Sequence, residues 1–83
     1  MEINPPDNFA SWLTGTLKRL DVSGPTLAAS VGVTPQAVWA WTSNKGKPSG
    51  FSVYDVLRAI DASKAERAAA WAAYDQTLTE MRA

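Results

Sequence analysis

The stretch SGPTLAASVGVTPQAVWAW, Ser23 to Trp41, admits few folds. It holds two prolines, Pro25 and Pro35, each suited to the first turn of a helix, where its missing N–H goes unneeded. Ser23 or Gly24 caps the first helix, and Thr34 is a good N-cap for the second. Between them Gly32 suits the positive φ of a tight helix–helix turn. The stretch therefore predicts two short helices, near 25–31 and 34–42. Leu27, Ala28 and Val31 face inward from the first. Val33 fills the turn, and Val38 and Trp41 face inward from the second. Ala28 has to be small if the two helices cross closely there.

Three more helices follow from the same kind of reading, and no strand. The first is expected near 5–20, opened by Pro5 behind Asn4, with Asp7 completing a capping-box-like pair. Its apolar stripe is Phe9, Trp12, Leu13, Leu17 and Leu20. Gly15 inside it costs about 1 kcal/mol against alanine. After the loop SNKGKPSG, Ser52 is expected to cap a helix near 52–61 that buries Val53, Val56, Leu57 and Ile60. The capping box Ser63–Glu66 opens the last helix, near 63–81. Stepping about 100° per residue gives that helix two apolar sides. Ala65, Ala68, Ala69 and Ala72 form one, and Trp71, Tyr74, Leu78 and Met81 the other. The expected fold is all-α, a single five-helix domain over residues 1–83.

Composition removes whole classes of function. The chain has 83 residues, with no Cys and no His. That excludes disulfide scaffolding, thiol chemistry, zinc-finger sites and the commonest general base. No helical face pairs carboxylates, and SNKGKPSG lacks the spacing of a phosphate-binding loop. An enzyme is not expected, nor a cofactor, metal or small-molecule ligand. No apolar run approaches 18 residues, so no membrane span is expected. The start MEINPPDNF lacks the basic and apolar regions of a signal peptide. The expected location is the cytoplasm of a prokaryotic or phage-infected cell.

The net charge is zero, from eight basic and eight acidic residues. Its distribution is uneven. Residues 8–58 carry Lys18, Arg19, Lys45, Lys47 and Arg58 against Asp21 and Asp55, a net of +3. The first seven residues hold two acids, and residues 59–83 sum to −1. The positive charge lies in the middle of the chain, around the two short helices, and it makes a weak field.

Leu27-Ala28, Val31-Gly32-Val33, Thr34-Pro35-Gln36, Val38 and Trp41, followed by the SNKGKP loop, resemble the phage repressor/Cro type of helix-turn-helix DNA-binding domain. The resemblance covers roughly residues 8–61. It implies a lambda-repressor-like bundle that binds double-stranded DNA with the helix at 34–42 in the major groove. With Val38 and Trp41 inward, Gln36, Trp39, Ala40 and Ser43 lie opposite, and Thr34 and Pro35 stand at the tip. Gln36 is the best base reader, since its amide can pair bidentately with adenine. Family members often carry a glutamine where this chain has Pro35, so one base contact of the usual readout is missing. Trp39 falls on the DNA side, where an indole can contact a thymine methyl or donate to a phosphate. The alternative is that Trp39 packs on the loop after its helix.

Asn44, Lys45 and Lys47 are expected phosphate contacts, together with Thr34, and Lys18 and Arg19 are weaker candidates of the same kind. Arg58 has a similar status. The two-sided last helix implies a homodimer, since twofold pairs reading paired half-sites are usual for such domains. One side would pack on the first and fourth helices and the other on a second copy. The larger side chains suit the core, and the alanines permit close helix approach. The function these features imply is a transcriptional repressor acting by promoter occlusion. The same scaffold used as a protein-interaction module through exposed Trp39 is the other reading.

Overall fold

A polar side chain stands in front of every helix. The computed structural model describes residues 7–82. Its helices are α1 (Phe9–Leu20), α2 (Gly24–Val31), α3 (Pro35–Thr42), α4 (Gly50–Ala59) and α5 (Lys64–Arg82), with no strand among the described residues. The side chains of Asn8, Ser23, Thr34 and Ser49 each accept the backbone N–H three residues on, at 2.9 to 3.2 Å. Ser63 and Glu66 close the expected capping box: the Glu66 N–H donates to Ser63 Oγ at 3.1 Å and the Ser63 N–H to Glu66 Oε1 at 3.0 Å. Each cap satisfies a donor that the first turn would leave without a partner.

Two starts differ from expectation. α1 begins at Phe9 behind Asn8, so Asp7 precedes the cap, and Asn4 and Pro5 lie outside the described residues. α4 begins two residues before Ser52, because Ser49 is the cap and Ser52 supplies the N–H it accepts. Gly32 ends α2 at φ 83°, the left-handed turn that a Cβ resists. Its N–H and that of Val33 both donate to the Ala28 carbonyl. That closes the link between α2 and α3.

The helices touch in a closed ring, α1 on α3, α3 on α2, α2 on α4, α4 on α5 and α5 on α1. Inside it lie Phe9, Leu13 and Leu17 of α1, Leu27 and Ala28 of α2, Val38 and Trp41 of α3, Val53, Val56 and Leu57 of α4, and Ala62 and Ala70. Leu20, expected in the α1 stripe, is exposed because the helix ends beyond the last packed turn.

The core side of α5 runs between the two sides expected from the sequence. Ala70, Ala73 and Thr77 are buried, with Tyr74 and Leu78 half-buried beside them. Ala65, Ala68, Ala69 and Ala72 all face outward. Trp71 and Met81 are 38% and 40% exposed. The two buried alanines let α5 approach α1 closely. The Thr77 hydroxyl then accepts the Phe9 N–H at 2.7 Å and donates to the Ala73 carbonyl at 3.2 Å. Asn8 Nδ2 donates to Glu80 at 3.1 Å on the same junction. Farther along, Tyr74 donates its hydroxyl to the Pro48 carbonyl at 2.7 Å, and its ring meets Phe9 edge-on at 6.0 Å. The last helix thus fixes both the start of α1 and the loop before α4.

Thr77→Val keeps the shape and removes the acceptor of a buried N–H. It is expected to lower unfolding free energy by about 1–3 kcal/mol in a urea titration. Thr77→Ser, which keeps the hydroxyl, is expected to recover most of that loss.

Candidate nucleic-acid interface

α3 is only eight residues long, and its two sides have separate duties. Val38 and Trp41 are buried, and Ala37 is half-buried. Pro35, Gln36 and Trp39 are exposed, Trp39 by 61%. The inward anchors hold the helix, and those three side chains are left to the solvent. A tryptophan exposed to that degree is uncommon without a partner.

More than half of Trp39 is open to solvent. It forms one wall of an apolar groove of about 560 Å³, whose other walls include Thr14 and Leu17 of α1, Val22, Pro25 at the tip of α2, and Pro35. The groove therefore runs along α3, from Pro35 to Ser43, with α1 and the first turn of α2 as its other sides. Thr14, Val22 and Pro25 had no place among the expected site residues. Pro25 had a signal in the sequence, because a first-turn proline on α2 marks the helix tip beside the turn. Thr14 had none, since its place depends on α1 crossing α3, where its hydroxyl meets the Thr42 carbonyl at 3.4 Å.

Two of the expected base-contacting residues, Ala40 and Ser43, lie at the end of α3. Ser43 Oγ donates to the Trp39 carbonyl at 2.6 Å, and Thr42 Oγ1 donates to the same oxygen at 3.1 Å. Asn44 then takes φ 60°, which asparagine tolerates, and the chain folds back. The N–H groups of Lys45 and Gly46 both reach the Ala40 carbonyl, at 2.9 and 3.2 Å. This return covers Ala40, which is half-buried, as Ser43 is. Ala40 therefore sits at the join between helix and loop, whereas Ser43, its hydroxyl bonded to the Trp39 carbonyl, also lines the groove beside Trp39. Gln36, with Pro35 before it, keeps an unobstructed outward position.

The cations divide likewise. Asn44, Lys45 and Lys47 are exposed on the return loop beside α3. Lys18 is exposed on α1, one turn past Thr14, which lines the groove. Arg19 points elsewhere. It meets Glu66 at 3.1 Å, the one ion pair among the described residues. Thr34 uses its oxygen to cap α3. Gln36, Trp39, Lys45, Lys47 and Lys18 are thus all exposed, while Arg19 is committed to α5.

No family model matches the chain, and no curated protein or solved structure matches it significantly.

The Glu66 carboxylate is held at a pKa of about 2, down from an ordinary 4.5, by the Ser63 N–H first, then by Arg19 and the Ser63 hydroxyl. A depressed carboxylate pKa stabilises the fold above the unfolded value and loses that effect as the pH falls toward the folded one. Stability is therefore expected to drop between about pH 4.5 and 2. Glu66→Gln is expected to flatten that dependence in denaturant titrations at stepped pH, with Arg19→Gln flattening it less.

Proposed function

We propose that this chain binds double-stranded DNA through the major groove, as a small transcriptional regulator of the phage repressor/Cro kind. The observation that carries the reading is the presentation of α3. Its buried side is anchored by Val38 and Trp41, and Gln36 and Trp39 stand outward beside Asn44, Lys45 and Lys47. The α2–Gly32–α3 pair fits the spacing of a helix-turn-helix. Gln36 would read a base edge, Trp39 and Pro35 would supply apolar contact, and the lysines would hold the phosphates. A repressor of this size would act by occluding a promoter.

The charge limits how such binding works. Lys18, Lys45 and Lys47 offer three phosphate contacts. At about −0.9 per neutralised phosphate they give a salt slope of roughly −3 for one chain. Binding to arbitrary DNA would then be weak, and selectivity would rest on the face of α3.

A second reading is favoured by the groove itself. An apolar cleft of about 560 Å³ walled by Trp39 on a chain of zero net charge also suits a protein partner, with Trp39 as its main anchor. Salt separates the two, since a tryptophan-centred protein contact does not release counterions.

Selection from a random duplex pool, followed by titration of the enriched site at several salt concentrations, tests the proposal. An enriched site with a slope near the three-contact value supports it. Flat, weak binding with no enrichment overturns it in favour of the protein-partner reading. Gln36→Ala is expected to reduce discrimination between site variants by about 1–3 kcal/mol, and Lys45→Ala to weaken all sites alike and flatten the slope by about one unit.

A further inference from the structure

The most exposed large apolar side chain among the described residues lies away from the groove. Phe51, in the first turn of α4, is 87% exposed, and Tyr54 on the next turn is 53% exposed. With Asp55 and Arg58 they line a shallow depression of about 650 Å³. The four residues stand at i, i+3, i+4 and i+7, so they share one helix side. Val53, Val56 and Leu57 hold the opposite side in the core. Arg67 of α5 lies over the Tyr54 ring at 6.0 Å and steadies it. Nothing comparable covers Phe51.

We propose that this side of α4 pairs with the same side of a second copy, the two α4 helices antiparallel about a twofold axis. The order of the charges carries the choice of partner. Asp55 precedes Arg58 by one turn, and neither has an ion-pair partner among the described residues. A twofold axis reverses the second helix. Arg58 of each copy then lies beside Phe51 and Asp55 of the other, within reach of a ring face and a carboxylate. A patch that reads the same after reversal is self-complementary. The chain's zero net charge leaves no overall repulsion between copies.

A single helix side is smaller than the roughly 800 Å² per partner of a standard interface. The pairing is therefore a monomer–dimer equilibrium set by concentration. It uses a different surface from the outward alanines of α5, and it does not rest on the nucleic-acid reading.

Analytical ultracentrifugation of the full chain across micromolar to millimolar concentration tests it without DNA. The average mass is expected to rise from one chain toward two. Phe51→Asp is expected to weaken association by about tenfold or more, with an unchanged circular dichroism spectrum because the residue is exposed. Asp55→Arg alone and Arg58→Asp alone each weaken it, and the two together restore it. A monomer at every concentration overturns the proposal. So does a dimer that survives Phe51→Asp, or one lost on Ala68→Glu instead, which would place the contact on α5.

Discussion

The hydroxyl of Thr77 joins the two ends of the fold. The first turn of α1 leaves its N–H groups without helical partners, and the Phe9 N–H is buried against α5. Burying such a donor without a partner costs about 1–3 kcal/mol. Thr77 removes that cost and returns its own hydrogen to the Ala73 carbonyl. The contact exists only because Ala70 and Ala73 bring α5 close to α1. From there the ring closes in both directions. α1 sets the place of α3, and Tyr74, one turn before Thr77, holds the loop between α3 and α4 through Pro48. The position of the outward side of α3 thus depends on a helix that contributes nothing to that side.

Two eight-residue helices would not persist alone, since isolated helices of that length are marginal in water. α2 and α3 are held by their caps, by Gly32 and by the burial of Leu27, Val38 and Trp41. Because the inward residues carry all of that, the outward ones are released from structural duty. The Gln36 side chain makes no hydrogen bond among the described residues, and the Trp39 ring, 61% exposed, walls the groove. Stability and surface chemistry can therefore change separately on this helix.

How much of this the sequence revealed depends on how local the cause is. The limits of α3, its cap, the turn glycine and its inward anchors follow from residues within ten positions of one another, and they could be read directly. So could the outward setting of Gln36 and Trp39. The start of α1 could not, because Asn4 and Asn8 are both capable caps. Asn8 caps α1 and is joined to Glu80, far along the chain. Ser49 and Ser52 pose the same ambiguity, and the pair acts jointly, one accepting and the other donating. The core side of α5 was hidden for a different reason. Its centre is two alanines and a threonine, which carry little hydropathy signal, while the larger Trp71 sits at the margin. Lys18 and Arg19 look alike in sequence. One step of 100° along α1 separates them, and Arg19 is the one that meets Glu66.

For a chain of this charge, the nucleic-acid reading and the pairing of α4 bear on each other. Three lysines per copy make a field too weak to hold DNA of arbitrary sequence for long. Two copies on one duplex would double the phosphate contacts, and with them the salt slope, while leaving each monomer neutral. Neutrality is then no argument against DNA binding. It would keep the single chain off random sites and would favour the encounter between copies. Selectivity would arise where two weak halves meet a site that carries both half-sites. In that arrangement occupancy would rise faster than in proportion to concentration, because the species that binds well is the one that forms last.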